Sequence, residues 1–154
     1  MKKSFVSLCL GLCVLMAGTV QAQEENTYKI SEVKDVNGIL FDKSGNKVTG
    51  VVVSNYENGM RAEELTYVNG VKNGVQILYS HAGRKFARSN FKNNKEQGET
   101  RLFYSAGGTL AVLQFDEGNL IEGYCVKEFG EKVVLTDKDK DTFMREGTLP
   151  CEYM

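Results

Sequence analysis

Between Gly50 and Gly130 apolar and polar positions alternate in short runs, and most runs end at a glycine or an asparagine. Val75, Ile77 and Tyr79 share one parity, as do Thr100, Leu102 and Tyr104, and Ala111, Leu113 and Phe115. Alternation with a period of two puts such residues on one face of a strand, so the pattern predicts that they face a core. The other parity carries Val53 and Asn55, Glu64 and Thr66, Gln76 and Leu78, Arg88 and Asn90, Arg101 and Phe103, and Val112 and Gln114. A second, mixed face is therefore expected. The steps Asn58-Gly59 and Asn69-Gly70 are strong hairpin signals, so consecutive strands should run antiparallel.

The alternation is itself periodic. Glycines at 50, 74, 98 and 123 open copies of 24, 24 and 25 residues, the fourth copy fading after Gly130. An aromatic falls near the end of the first strand of each copy, at Tyr56, Tyr79 and Tyr104, with Phe129 in the fourth. A second aromatic follows at Tyr67, Phe91 and Phe115, and three residues later comes Gly70, Asn94 or Gly118. Each copy reads as two strands and a turn, with the six aromatics capping turns and covering apolar neighbours as structural residues. The fold expected is mainly β, an elongated antiparallel meander of hairpin repeats over residues 50–130. Residues 23–49, with Asp42-Lys-Ser-Gly45 as a turn, read as a capping segment, because terminal repeats need an atypical outer face. Residues 131–154 read as a tail that opens with a strand at Val133, Val134 and Leu135 and packs back on the repeats.

At these residues the chain resembles the MORN-repeat variant family, bacterial proteins often described as YwqK-type antitoxin components. The resemblance covers Gly50 to about Phe129. It implies stacked hairpins used as interaction surfaces, with protein partners and lipid headgroups as ligands, and a toxin-neutralising role as an alternative.

Residues 1–22 have the form of an export signal. Lys2 and Lys3 precede an apolar run from Phe5 to Ala17, and Val20-Gln21-Ala22 presents small residues for cleavage. Leucine precedes both Cys9 and Cys13, where a lipoprotein signal has a small residue, so lipid attachment is disfavoured. The mature chain, starting near Gln23, keeps Cys125 and Cys151, and an oxidising compartment pairs two such cysteines. A periplasmic, cell-surface or secreted location follows.

Charge and composition narrow the function. The 19 basic and 20 acidic residues nearly cancel, which removes the positive field that draws proteins onto nucleic acid. The single histidine, His81, lies in a turn and has no cysteine beside it to activate. Asp137, Asp139 and Asp141 are spaced like the first ligands of a calcium loop, but Thr142 stands where that loop turns on glycine and Thr148 where it needs glutamate. No metal and no cofactor is expected. The reading is a non-enzymatic binding or scaffold module whose partner is a protein or an envelope component; an enzyme with its site in the tail is the alternative. The binding patch expected is Leu78 and Phe103, at equivalent repeat positions, beside Arg88 and Arg101. The competing expectation is that Phe143 and Met144 fold over Leu78 and Phe103 and bury them.

Overall fold

The computed structural model describes residues 26–153. In chain order the strands are β1 (Thr27–Lys29), β2 (Val33–Val36), β3 (Ile39–Asp42), β4 (Gly50–Asn55), β5 (Arg61–Val68), β6 (Val71–Tyr79), β7 (Lys85–Lys92) and β8 (Lys95–Glu96). There follow β9 (Gly98–Phe103), β10 (Thr109–Asp116), β11 (Asn119–Val126), β12 (Lys132–Val134) and a helix, α1 (Asp137–Glu146). One sheet runs β1-β4-β5-β6-β7-β9-β10-β11-β12, with β8 beside β7, and β2 and β3 form a separate hairpin. Pairing is antiparallel throughout the meander, and only β1 lies parallel to its neighbour β4.

Two turn designs alternate along the meander. On one edge the N–H of Tyr56, Ser80, Tyr104 and Lys127 donates to the carbonyl four residues on, and a glycine with φ between 73° and 99° closes each turn. On the other edge the two-residue turns Asn69-Gly70, Asn93-Asn94 and Glu117-Gly118 hold both residues at positive φ, as hairpins of this twist require. Asn58-Gly59 therefore belongs to the longer turn, and Asn69-Gly70 to the tight one. The same longer turn at Lys127–Glu131 starts the fourth hairpin, so β12 extends the sheet beyond the repeats.

Cross-strand pairing explains why copies open on glycine. Gly50 lies directly opposite Tyr67, Gly74 opposite Phe91 and Gly98 opposite Phe115. Each second aromatic thus stands beside a position without a side chain. A Cβ on Gly74 would come within 2.8 Å of the Thr66 side chain, so that site has no room for one.

The strand parity expected for β6 is corrected. Leu78 pairs with Ala87, which pairs with Leu102, whereas Ile77 pairs with Glu64 and with Arg88. Leu78 therefore shares the face of Leu102, and Ile77 lies on the other. The same β-bulge recurs in each hairpin, leaving Ala62, Phe86 and Leu110 as the extra residue, so the cause lies in the aromatic: Tyr79 stands five residues after its glycine, whereas Tyr56 and Tyr104 stand six after theirs. Glycine spacing keeps the register. Tyrosine spacing, 23 residues from Tyr56 to Tyr79 and 25 to Tyr104, does not.

The face of Leu102, here the inner face, is covered at its two ends. At one end the β2–β3 hairpin packs Leu40 with Val48, Val52 and Tyr67. At the other end the tail lays Leu135, Phe143, Leu149 and Cys151 over Ala111, Leu113, Phe115 and Cys125. The Cys125–Cys151 disulfide is formed, with Cα atoms 5.3 Å apart. Thr136 caps α1 by accepting from the Asp139 N–H, and Gly147 ends it with φ 70°. Replacing Thr136 with alanine should cost about 1 kcal/mol, visible as a lower midpoint in urea unfolding.

At Gly123 tail and sheet lie too close to admit a side chain. A Cβ there would stand 2.8 Å from Leu113 Cδ2, 3.0 Å from Leu135 Cδ1 and 3.1 Å from the Val112 carbonyl. Gly123→Ala is expected to destabilise the protein by about 1–3 kcal/mol through overpacking, with urea unfolding as the check.

Candidate functional site: a groove between two caps

The middle of the inner face is left open by the two caps. The turn end of its floor is Leu78, Ala87 and Leu102, aligned across β6, β7 and β9. One step further along the strands the floor becomes polar, with Gln76 opposite Ser89, and Thr100 beside them. Phe86 and Phe103 stand at the turn end, Phe91 and Glu96 at the other, and Phe143 of the tail borders the groove. Its volume is about 640 Å³, within the range of ligand sites in proteins.

The floor is held by its own bonds. The Thr100 hydroxyl donates to Glu96 Oε1 at 3.1 Å, and Gln76 Nε2 donates to Glu63 Oε1. At the mouth, Arg84 Nη1 donates to the Ser105 carbonyl and joins one turn to the next. Phe86, the bulge residue, is 41% exposed there. A bulge at this place turns a large ring toward the opening, which strict alternation does not predict.

The expected four-residue patch is divided between two faces. Leu78 and Phe103 both line the groove and are only partly buried. Arg88 and Arg101 oppose one another on the outer face, between Ile77 and Val112. Arg101 reaches Glu99 at 2.8 Å. The tail does not cover Leu78 and Phe103, because α1 sits over β11. Phe143 packs at 6.4 Å from Phe115 and Met144 remains 49% exposed.

The aromatics have distinct duties. The Tyr56 hydroxyl donates to the Tyr79 carbonyl and the Tyr104 hydroxyl to the Val126 carbonyl, each tying one turn to the next repeat. Tyr79, one residue before the turn that Ser80 opens, instead donates to Glu64 Oε2 at 3.1 Å, and burial, then Glu64, raises its phenol above the usual range. Tyr67 joins the core under the leading hairpin, Phe115 the core under the tail, and Phe91 the groove. His81 stacks on Tyr56 with ring centroids 3.8 Å apart, and its carbonyl accepts from Asn58 Nδ2. Removing the Tyr56 hydroxyl with phenylalanine should cost about 1 kcal/mol, since the ring stays and only the tie to Tyr79 is lost. A lower thermal midpoint is the expected reading.

The aspartates with calcium-loop spacing stand on α1. The Thr136 hydroxyl and N–H hold Asp139 below the usual carboxylate range, and Lys140 does the same for Asp137. Both contributions are present at neutral pH and are lost as pH falls through the depressed values. The arrangement is a helix start in place of an ion-binding loop.

No family model matches the chain, and no curated protein matches it. Among the described residues, no helix is long and apolar enough to cross a membrane.

Proposed function

We propose that this chain is an exported, non-enzymatic binding module that holds its partner in the inner-face groove. The observation that carries the reading is the arrangement of the caps: both ends of the inner face are sealed, and the stretch between them is left open with Leu78, Leu102, Phe86 and Phe103 accessible. Stacked hairpins tied turn to turn give the groove a rigid floor, and a rigid floor lowers the entropy lost on binding. The Cys125–Cys151 bridge fits an oxidising compartment, in line with the export signal read at residues 1–22. Interaction through hairpin repeats is also what the resemblance to MORN-repeat variants implies.

The test is recovery of the component that co-purifies with the mature protein from its native envelope. Leu78→Asp or Leu102→Asp should reduce recovery at least tenfold, and Arg101→Ala, on the outer face, should leave it unchanged. Equal recovery with all three variants would refute the groove as the site.

A further inference from the structure

The groove does not end at the tail. A smaller hollow of about 220 Å³ runs under the tail, and it shares Leu102, Leu110, Phe143 and Gly147 with the groove. At its far end this hollow is lined by Cys151. Cys151 also lines a third hollow, of about 750 Å³, that opens at the sheet edge beside Tyr104, Ser105 and Lys127. The segment from Phe143 to Cys151 is thus a strap laid across one continuous depression. Its hold on the sheet is limited to a few groups: α1 buries no residue and ties to β11 through the Lys140 ammonium donating to the Ile121 carbonyl, and the buried Leu149 and Cys151 with the half-buried Phe143 are the apolar contacts of the strap itself. The disulfide to β11 is its covalent tie, and Gly147, in the left-handed conformation with open space around it, gives a place to swing.

We propose that the Cys125–Cys151 bridge is a latch: cleaving it frees the strap and merges the three hollows into one longer apolar trough, so that the redox state of the bridge sets the size of the binding site. This rests on the groove being the site proposed above, and it adds how that site is regulated. The reductant is a dithiol. One of its thiolates attacks Sγ of Cys151, the cysteine that borders both hollows, and the Cys125 thiolate leaves. The second thiol of the reductant then displaces Cys151 and closes a cyclic disulfide, so that the protein gains two electrons and two protons. Beneath the strap, Ala111, Leu113 and Phe115 become the added floor.

Hydrogen exchange of the mature, disulfide-bonded protein with and without dithiothreitol tests this without any partner, so its failure is separable from failure of the groove as a site. On reduction, residues 137–151 should lose protection almost entirely, while β6, β7 and β9 stay protected, lowered only by the fall in global stability. Anilinonaphthalene sulfonate should gain fluorescence at the same time, and Leu102→Asp should suppress the gain. A Cys125→Ser/Cys151→Ser double variant should behave as the reduced protein with no dithiol present. Unchanged protection in the tail would overturn the latch. So would near-complete loss of protection across the whole sheet, which would make the bridge a staple of the entire domain, or an opened tail with no gain in dye fluorescence.

Discussion

Leu113→Ala is expected to lower the free energy of unfolding by about 3–5 kcal/mol, and Ile77→Ala by less than about 1.5 kcal/mol. Leu113 is fully buried between sheet and tail, where truncation leaves a cavity that Leu135, Phe115 and the disulfide cannot collapse into. Ile77 lies on the outer face between Glu64 and Arg88, only partly buried, and its loss leaves no enclosed void. Urea unfolding of the two variants separates the register set by glycine from the register suggested by the tyrosines. Under the tyrosine-based register Ile77 would share the face of Leu102, and the two variants would lose comparable stability.

Reduction of the Cys125–Cys151 bridge is expected to cost about 3–4 kcal/mol, the loop-closure entropy of a segment of this length in the chain-entropy model. The two cysteines are 26 residues apart, and both are buried in the core cluster that includes Leu135 and Leu149. In a domain of this size that loss corresponds to a fall in melting temperature on the order of 10 °C. Calorimetry with and without reductant is the check, and free-thiol titration of the purified protein should give no reactive thiol before reduction. A melting temperature that does not respond to reductant would mean that the tail is held by its apolar contacts alone.

Much of this fold was legible because its punctuation is local. Glycine and asparagine at the turns act through backbone φ, which neither neighbours nor tertiary contacts need to supply, so the hairpins from Gly50 to Gly118 could be read directly. Cys125 and Cys151 were legible as the pair of cysteines outside residues 1–22. The face assignment in β6 was not, because Tyr79 stands one residue closer to its glycine than Tyr56 and Tyr104 do, and an offset of one residue reverses parity. The better guide was present in the sequence: the glycine period stays at 24 over the first copies, while the tyrosine spacing wavers. That slip placed Leu78 beside Arg88 and Arg101, although the strands carry it to the opposite face.

The tail shows a second kind of limit. Its aspartate run has the spacing of calcium-loop ligands, yet Thr136 and Asp139 have the spacing of a capping box and mark the start of α1. Where that helix docks depends on which stretch of the inner face is most apolar. Ala111, Leu113 and Phe115 form that stretch, whereas Gln76, Ser89 and Thr100 interrupt the floor in the middle. The strand β1 was also not foreseen, since a three-residue parallel addition to β4 leaves no pattern in sequence.

The groove as the binding site is tested most directly by placing a photo-crosslinking side chain at position 86, and separately at position 77, in protein expressed in its native cell. Position 86 opens on the groove and position 77 on the outer face. A discrete adduct from position 86 and none from position 77 is the predicted result; an adduct from position 77 alone, or none from either, would contradict it.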